Sequence, residues 1–84
     1  MNKKLIGMIS HFYPKISVAV VDLTDELKVG DKILIERGAE SFDQVVTEMQ
    51  IEHRNIREAK KGQSIGMRVY GSTKEGAKVY RVMD

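Results

Sequence analysis

The chain has 84 residues and a mass of 9.5 kDa, below the usual domain size of about 100 to 150 residues, so it is expected to form a single domain over 1–84 and leaves no room for a two-domain enzyme. Hydrophobic residues at 42%, charged residues at 31% and a net charge of +2 describe a soluble globular domain rather than a disordered tail. The absence of cysteine excludes disulfide stapling, thiolate catalysis and cysteine-ligated metal sites.

At the start, Lys3 and Lys4 precede Leu5-Ile6-Gly7-Met8-Ile9 in the outline of a secretion signal. That apolar run is shorter than the roughly 7 to 15 residues of such a signal, and His11 interrupts it. No stretch approaches the roughly 18 apolar residues of a membrane span. The expected location is cytoplasmic, with no membrane partner.

Leu5 to Tyr13, stopped by Pro14, predicts the first strand. Ile16 to Leu23 is rich in β-branched residues with period-two alternation and predicts the second, followed by the acidic turn Thr24-Asp25-Glu26. Gly30-Asp31 is a turn pair that launches a strand over Lys32 to Glu36, and Gly38 closes it. Gln44 to Glu52 alternates, with Val45, Thr47, Met49 and Ile51 on one face. His53 to Lys61 reads as a short helical turn ended by Gly62. Ser64 to Tyr70 and Lys78 to Val82 are two further strands joined by a Gly71 to Gly76 loop. Six short strands with Gly-bearing turns and hardly any helix predict an all-β, six-stranded antiparallel barrel, closed or nearly closed.

The chemistry inventory points away from catalysis. His11 and His53, the two histidines, lack the i, i+4 partner of a helical metal site. Asp22, Asp25 and Glu26 do not follow the ordered pattern of a calcium loop. Gly71-Ser72-Thr73-Lys74-Glu75-Gly76 holds phosphate-binding residue types in the wrong order for a nucleotide loop, and no helix follows. None of Ser10, Ser17, Ser41, Ser64 and Ser72 sits in a nucleophile-elbow context. The expectation is a non-enzyme with no metal, cofactor or nucleotide.

The charge is unevenly distributed. Residues 1–52 carry 6 basic and 9 acidic side chains, and residues 53–84 carry 8 basic and 3 acidic. Basic side chains gain free energy by displacing counterions from a phosphate backbone. The candidate surface is therefore Arg54, Arg57, Lys60 and Lys61 around the helical turn, joined by Arg68 and Tyr70 on the outward face of the next strand. Basic residues beside an aromatic on a barrel face suit RNA, through phosphate contacts and base stacking.

Several segments resemble the β-barrel second domain of translational GTPases such as elongation factor Tu. They are Val18-Ala19-Val20-Val21, the turn-strand Leu27 to Ile33, Val45 to Met49, and above all Ile56-Arg57-Glu58-Ala59-Lys60-Lys61-Gly62 followed by Gly66, which matches an I/L-x-E-A-x-x-G-x-x-x-G signature. The resemblance covers roughly residues 16–82. It implies a freestanding translation-factor-like barrel that binds structured RNA, either tRNA or the ribosome. Where aminoacyl-tRNA carriers of that family hold the terminal adenosine with an acidic residue and an aromatic, this chain has Gln50 and Glu52. A similar barrel closes the C-terminus of collagenase-like peptidases, with a Gly-x-x-Val/Ile motif that Gly76-Ala77-Lys78-Val79 resembles. That second resemblance implies the alternative: a protein-protein interaction subunit acting in trans with a GTPase, a peptidase or an RNA-modifying enzyme.

Overall fold

A computed structural model of the chain describes residues 2–83. In chain order its strands are β1 (Asn2–Tyr13), β2 (Val18–Leu23), β3 (Leu27–Lys28), β4 (Lys32–Arg37), β5 (Glu40–Val45), β6 (Met49–Ile51), β7 (Arg54–Ile56), β8 (Glu58–Ala59), β9 (Ser64–Arg68) and β10 (Lys78–Met83). Eight of them form one sheet in the order β5-β4-β10-β1-β2-β9-β6-β7, and β3 pairs with β8 in a separate ribbon. Every pairing is antiparallel.

The longest strand, β1, shapes the rest. Its first half pairs with β10 and its second half with β2, and each ladder carries one extra residue on the β1 side. Leu5 faces Tyr80 while Gly7 faces Val79, leaving Ile6 unpaired. Ile9 faces Val21 while His11 faces Val20, leaving Ser10 unpaired. Such bulges bend a strand and sharpen its right-handed twist, so β1 coils and both Ile6 and Ile9 enter one core. Between the bulges β1 and β2 nearly touch. A β-carbon on Gly7 would lie 2.8 Å from the carbonyl oxygen of Asp22 and 2.9 Å from Cγ1 of Val21.

Alternation then fills the interior. Ala19, Val21 and Leu23 from β2 meet Ile33 and Ile35 from β4, Ile65 and Met67 from β9 and Val79 from β10. The β3/β8 ribbon lies against this core, with Leu27 and Ala59 buried opposite each other and Lys28 and Glu58 outward. The ribbon is tied in by the Val29 N–H donating to the Arg57 carbonyl at 2.8 Å.

The all-β expectation is met, but the closed six-stranded barrel is corrected. Among the described residues no backbone ladder joins the edge strands β5 and β7. The cause lies in the segment predicted as one strand from Gln44 to Glu52. Val46 and Met49 are buried while Val45 is half exposed. Two buried residues three apart cannot share one face of a period-two strand, so the chain breaks between Val45 and Met49. Val46 turns inward, exchanging backbone bonds with Gly30 and Asp31 at 2.8 Å each.

The helical turn over His53 to Lys61 is likewise corrected to the strands β7 and β8, which belong to different sheets. Ile56 and Ala59 mimic helical spacing because the chain passes from one sheet to the other between them. The hairpin before β7 turns through Glu52 and His53, whose φ values are 50° and 65°. Ile51 faces Arg54 across it, so this is a two-residue turn with both central residues left-handed, a geometry that usually selects Asn-Gly.

An ionic cluster fastens β1 and β10 to the turn after β2. Lys4 Nζ lies 2.7 Å from Asp25 Oδ2, and Arg81 Nη2 lies 3.2 Å from the same oxygen. Arg81 also donates to the Glu26 carbonyl. The Lys4 hydrogen bond first, then the Glu26 backbone N–H, hold the Asp25 carboxyl at about 2, below its ordinary 3.8; partial burial opposes them, and the charges of Lys4 and Arg81 add to the lowering.

Two outcomes follow from this architecture. Gly7→Ala forces a β-carbon against the β2 backbone, which cannot step aside as a side chain can, and is expected to cost about 1–3 kcal/mol. Its unfolding midpoint in a thermal melt should fall by at least about 5 °C, and an unchanged midpoint would show that β1 and β2 separate freely. For Asp25 the folded pKa lies below the unfolded one, so its contribution is present above about pH 4 and is lost as pH falls through about 2. Acid titration of Asp25→Asn should therefore show a shallower stability loss between about pH 4 and 2 than the parent. Identical slopes would remove Asp25 from the account.

Candidate functional site

At the β1–β2 end stand the two most exposed large apolar side chains among the described residues, Ile16 and Tyr70. Pro14 stops β1, and the chain passes through Tyr13 to Ser17, where Ser17 adopts a φ of 55°. The turn is held by the Ile16 N–H donating to the Tyr13 carbonyl at 3.3 Å and by the Val69 N–H donating to Ser17 at 2.9 Å. With no chain above this turn, Ile16 is 60% exposed and Tyr13 47%. The Tyr13 ring packs on His11, centroid to centroid 4.2 Å. Just past β9, Tyr70 is 61% exposed.

Two grooves flank this tip. One, of about 410 Å³, lies between Phe12, Pro14 and Ser17 on one side and Arg68 to Ser72 on the other. The second, of about 320 Å³, is lined by Tyr13, Ile16, Val18, Gln50, Glu52, His53 and Gly66. A β-carbon at Gly66 would make only ordinary contacts, at 3.5 Å to Gln50 and Val18. Packing therefore does not demand glycine there, and its missing side chain instead deepens the second groove. Gly62, by contrast, has a φ of 91° that requires it.

The open sheet is stitched beside the first groove by side chains. The Gln44 amide donates to the Arg68 carbonyl at 2.9 Å and accepts from the Tyr70 N–H at 2.8 Å. It thus imitates one rung of the ladder that β5 lacks. The Tyr70 hydroxyl and the Thr47 hydroxyl share a hydrogen bond at 2.8 Å.

Of the six residues singled out in the sequence, Arg68 and Tyr70 stand together at this end, both bordering the first groove. Arg68 Nη1 lies 3.8 Å from Glu48 Oε2. Arg57 lines a smaller cleft that also contains Glu48, so an acidic side chain stands beside both arginines. Arg54 sits on the edge strand β7 after the Glu52-His53 turn. Lys60 and Lys61 lie at the opposite end of β9, where Lys60 N–H donates to the Gln63 side chain at 2.7 Å. The five-residue β9, ~13 Å long, separates them from Arg68. The six do not form one basic face.

Tyr13, Pro14 and Ile16 escaped the sequence reading because they look like a strand end and a strand start. Their signal is chemical: an isoleucine in a turn where glycine, asparagine or aspartate is the usual choice. Among the described residues no three His, Asp or Glu side chains gather to hold a metal ion. Nor is any helix long and apolar enough to cross a membrane.

These features define a small all-β module with two grooves open at one end, the smaller of them mainly apolar. The same fold occurs in the crystal structure of the C-terminal domain of a Geobacillus thermoleovorans protein described as a U32 peptidase, with a TM-score of 0.89, covering 95% of this chain and 93% of that one at 17% identity. Its selenomethionine variant gives 0.86, covering 93% and 99%, again at 17% identity. At that identity the likeness establishes the fold alone. An uncharacterized protease of Methanocaldococcus jannaschii is 41% identical over 76 residues, 89% of this chain. The chain spans only 19% of that protein's length. No family model matches the sequence.

These findings overturn the resemblance to the second domain of translation factors. The Ile56 to Gly66 signature belongs to the local geometry of β7, β8 and the turn into β9 and does not identify the family. The support that resemblance lent to RNA binding goes with it. The comparisons favour the other resemblance, to the domain that closes a peptidase chain.

The side-chain seam gives a direct expectation. Gln44→Leu removes both bonds to the 68–70 stretch and should cost about 1–2 kcal/mol in urea denaturation, with loss of hydrogen-exchange protection at the Tyr70 amide. Equal exchange at Tyr70 in both proteins would show that the seam does not hold the sheet ends together.

Proposed function

We propose that this chain is a non-catalytic docking module that packs against the catalytic part of a U32-type peptidase through the β1–β2 tip. The observation that carries this reading is that Tyr70 and Ile16, the two most exposed large apolar side chains among the described residues, stand with Tyr13 beside grooves of about 320 and 410 Å³. Exposed apolar clusters rimmed by polar residues are typical of protein interfaces, and aromatic anchors carry much of their energy. The rim here is supplied by Arg68, Gln50, Glu52 and His53.

The comparisons support this choice of partner. A stretch 41% identical to most of this chain makes up about a fifth of a protease, and the matching fold was solved as the C-terminal domain of a protein described as a U32 peptidase. In such proteins the rest of the chain is the natural neighbour of this module. In this reading the chemistry belongs to that neighbour, because the sequence carries no motif for acid-base or nucleophilic catalysis.

The test is a binding titration of the chain against the catalytic region of a U32-type peptidase from the same organism, read by calorimetry. Association in the micromolar range is expected, weakened at least about tenfold by Ile16→Asp or Tyr13→Ala, with melting midpoints of the variants close to the parent. No association of the unmodified chain, or equal affinity in both variants, would refute the proposed face.

A further inference from the structure

The Gly71 to Gly76 loop carries phosphate-friendly residue types that the docking reading does not use. In the structure Ser72, Thr73 and Lys74 face the β4–β5 hairpin across a cleft of about 170 Å³, whose other wall is Arg37, Glu40 and Ser41 over an apolar floor of Ile35 and Phe42. We propose that this cleft binds a compact, protonatable tetrahedral oxyanion: phosphate, as the free ion or as the terminal group of a small phosphomonoester.

Three observations support the assignment. The first is an unmet donor. Thr73 is 6% exposed, and its hydroxyl is the one buried side-chain polar atom among the described residues that lacks a hydrogen-bond partner. Buried hydroxyls in native proteins nearly always have partners; the Thr73 oxygen has almost no accessible surface of its own, so it reaches an oxyanion oxygen seated against the Ser72-Thr73-Lys74 turn by rotating about χ1 toward the cleft. The second is charge. Arg37 and Lys74 belong to none of the ion pairs among the described residues, so both cations are available, and with Glu40 they leave the cleft with a net charge of +1.

The third is preorganisation. Gly71 rests on the Phe42 ring, where a β-carbon would lie 2.9 Å from the ring carbons. At the other end Gly76 N–H donates to the Ile9 carbonyl at 2.8 Å, and Ala77 N–H donates to the Lys74 carbonyl at 3.2 Å. The loop is thus held at both ends against β5 and β1.

Size and the acidic residue narrow the ligand. A volume of about 170 Å³ falls short of the roughly 300–1,000 Å³ of pockets for larger organic ligands, so the cleft itself takes a group the size of phosphate. Glu40 is unfavourable toward a fully deprotonated anion. Toward hydrogen phosphate it is an acceptor, because that ion still carries an O–H to donate, whereas sulfate at neutral pH does not. The arrangement therefore selects phosphate over sulfate. Two cations and three hydroxyls also offer more donors than a carboxylate can use.

The experiment is an amide NMR titration of the full chain with inorganic phosphate, sulfate, acetate and glycerol phosphate at matched ionic strength. Phosphate is expected to shift Ser41, Ser72, Thr73 and Lys74 in the millimolar range, with sulfate and acetate several-fold weaker. Lys74→Gln and Arg37→Gln, both at exposed positions, should each weaken phosphate about tenfold, and Glu40→Gln should erase the preference over sulfate. Thr73→Val should weaken phosphate while raising the melting midpoint of the free protein, since it removes the unpartnered hydroxyl. Glycerol phosphate binding as well as phosphate assigns the site to a phosphomonoester, and phosphate binding alone assigns it to the free ion. Absence of shifts at roughly 20 mM phosphate, acetate binding equal to phosphate, or undiminished binding in Lys74→Gln would overturn the assignment.

Discussion

The close approach of β1 to β2 at Gly7, set between two bulges, is the constraint from which the remaining geometry follows. A flat strand of twelve residues would carry β10 and β2 away in opposite directions and leave two half-cores. Because β1 gains an extra residue first against β10 and then against β2, it coils, and the sheet curls until Ile6, Ile33, Ile65 and Val79 share one interior. The curl also lets the small β3/β8 ribbon lie against the core. For a chain of 84 residues, which buries a smaller share of its surface than a larger domain would, curling is how one sheet covers its own apolar face.

Period-two alternation made much of this fold legible. The strands over 18–23, 32–37, 64–68 and 78–83 stand close to where the pattern of β-branched and polar residues put them. Two regions were misread for related reasons. Val46 and Met49, both buried, and then half-buried Ile56 and buried Ala59, are inward-facing pairs three residues apart, where the chain leaves one strand or sheet for another. Spacing alone reads the first pair as a continuing strand and the second as a helix. Closure was also beyond the pattern, because whether two edge strands meet depends on bulges whose extra residues, Ile6 and Ser10, look like any others.

The candidate site was legible only in part, since sequence clustering of charge did not become a spatial patch. Arg81 is committed to Asp25 and Glu26, Arg68 pairs with Glu48, and Lys60 and Lys61 stand at the far end of β9 from Tyr70. The net positive charge of residues 53–84 is thus divided among structural pairs and separate surfaces. What the fold does gather is apolar: the β1–β2 turn and the start of the β9–β10 connection meet at one end because β2 and β9 are neighbours. Tyr13 and Ile16 are far from Tyr70 in sequence, and only the strand order brings them together.

The Gln44 seam gives the molecule an uneven cooperativity. Along the ladders, opening any strand breaks a row of backbone bonds, but the β5 edge is hydrogen-bonded to the 68–70 stretch by the single Gln44 amide, with the Thr47–Tyr70 hydroxyl bond just beyond the strand's end. Sub-global openings begin where the fewest such bonds must be given up, and here that place borders the larger groove. The module can therefore widen its mouth along one margin while the interior stays shut. A partner that inserts a bulky side chain there meets a wall able to yield without unfolding the sheet.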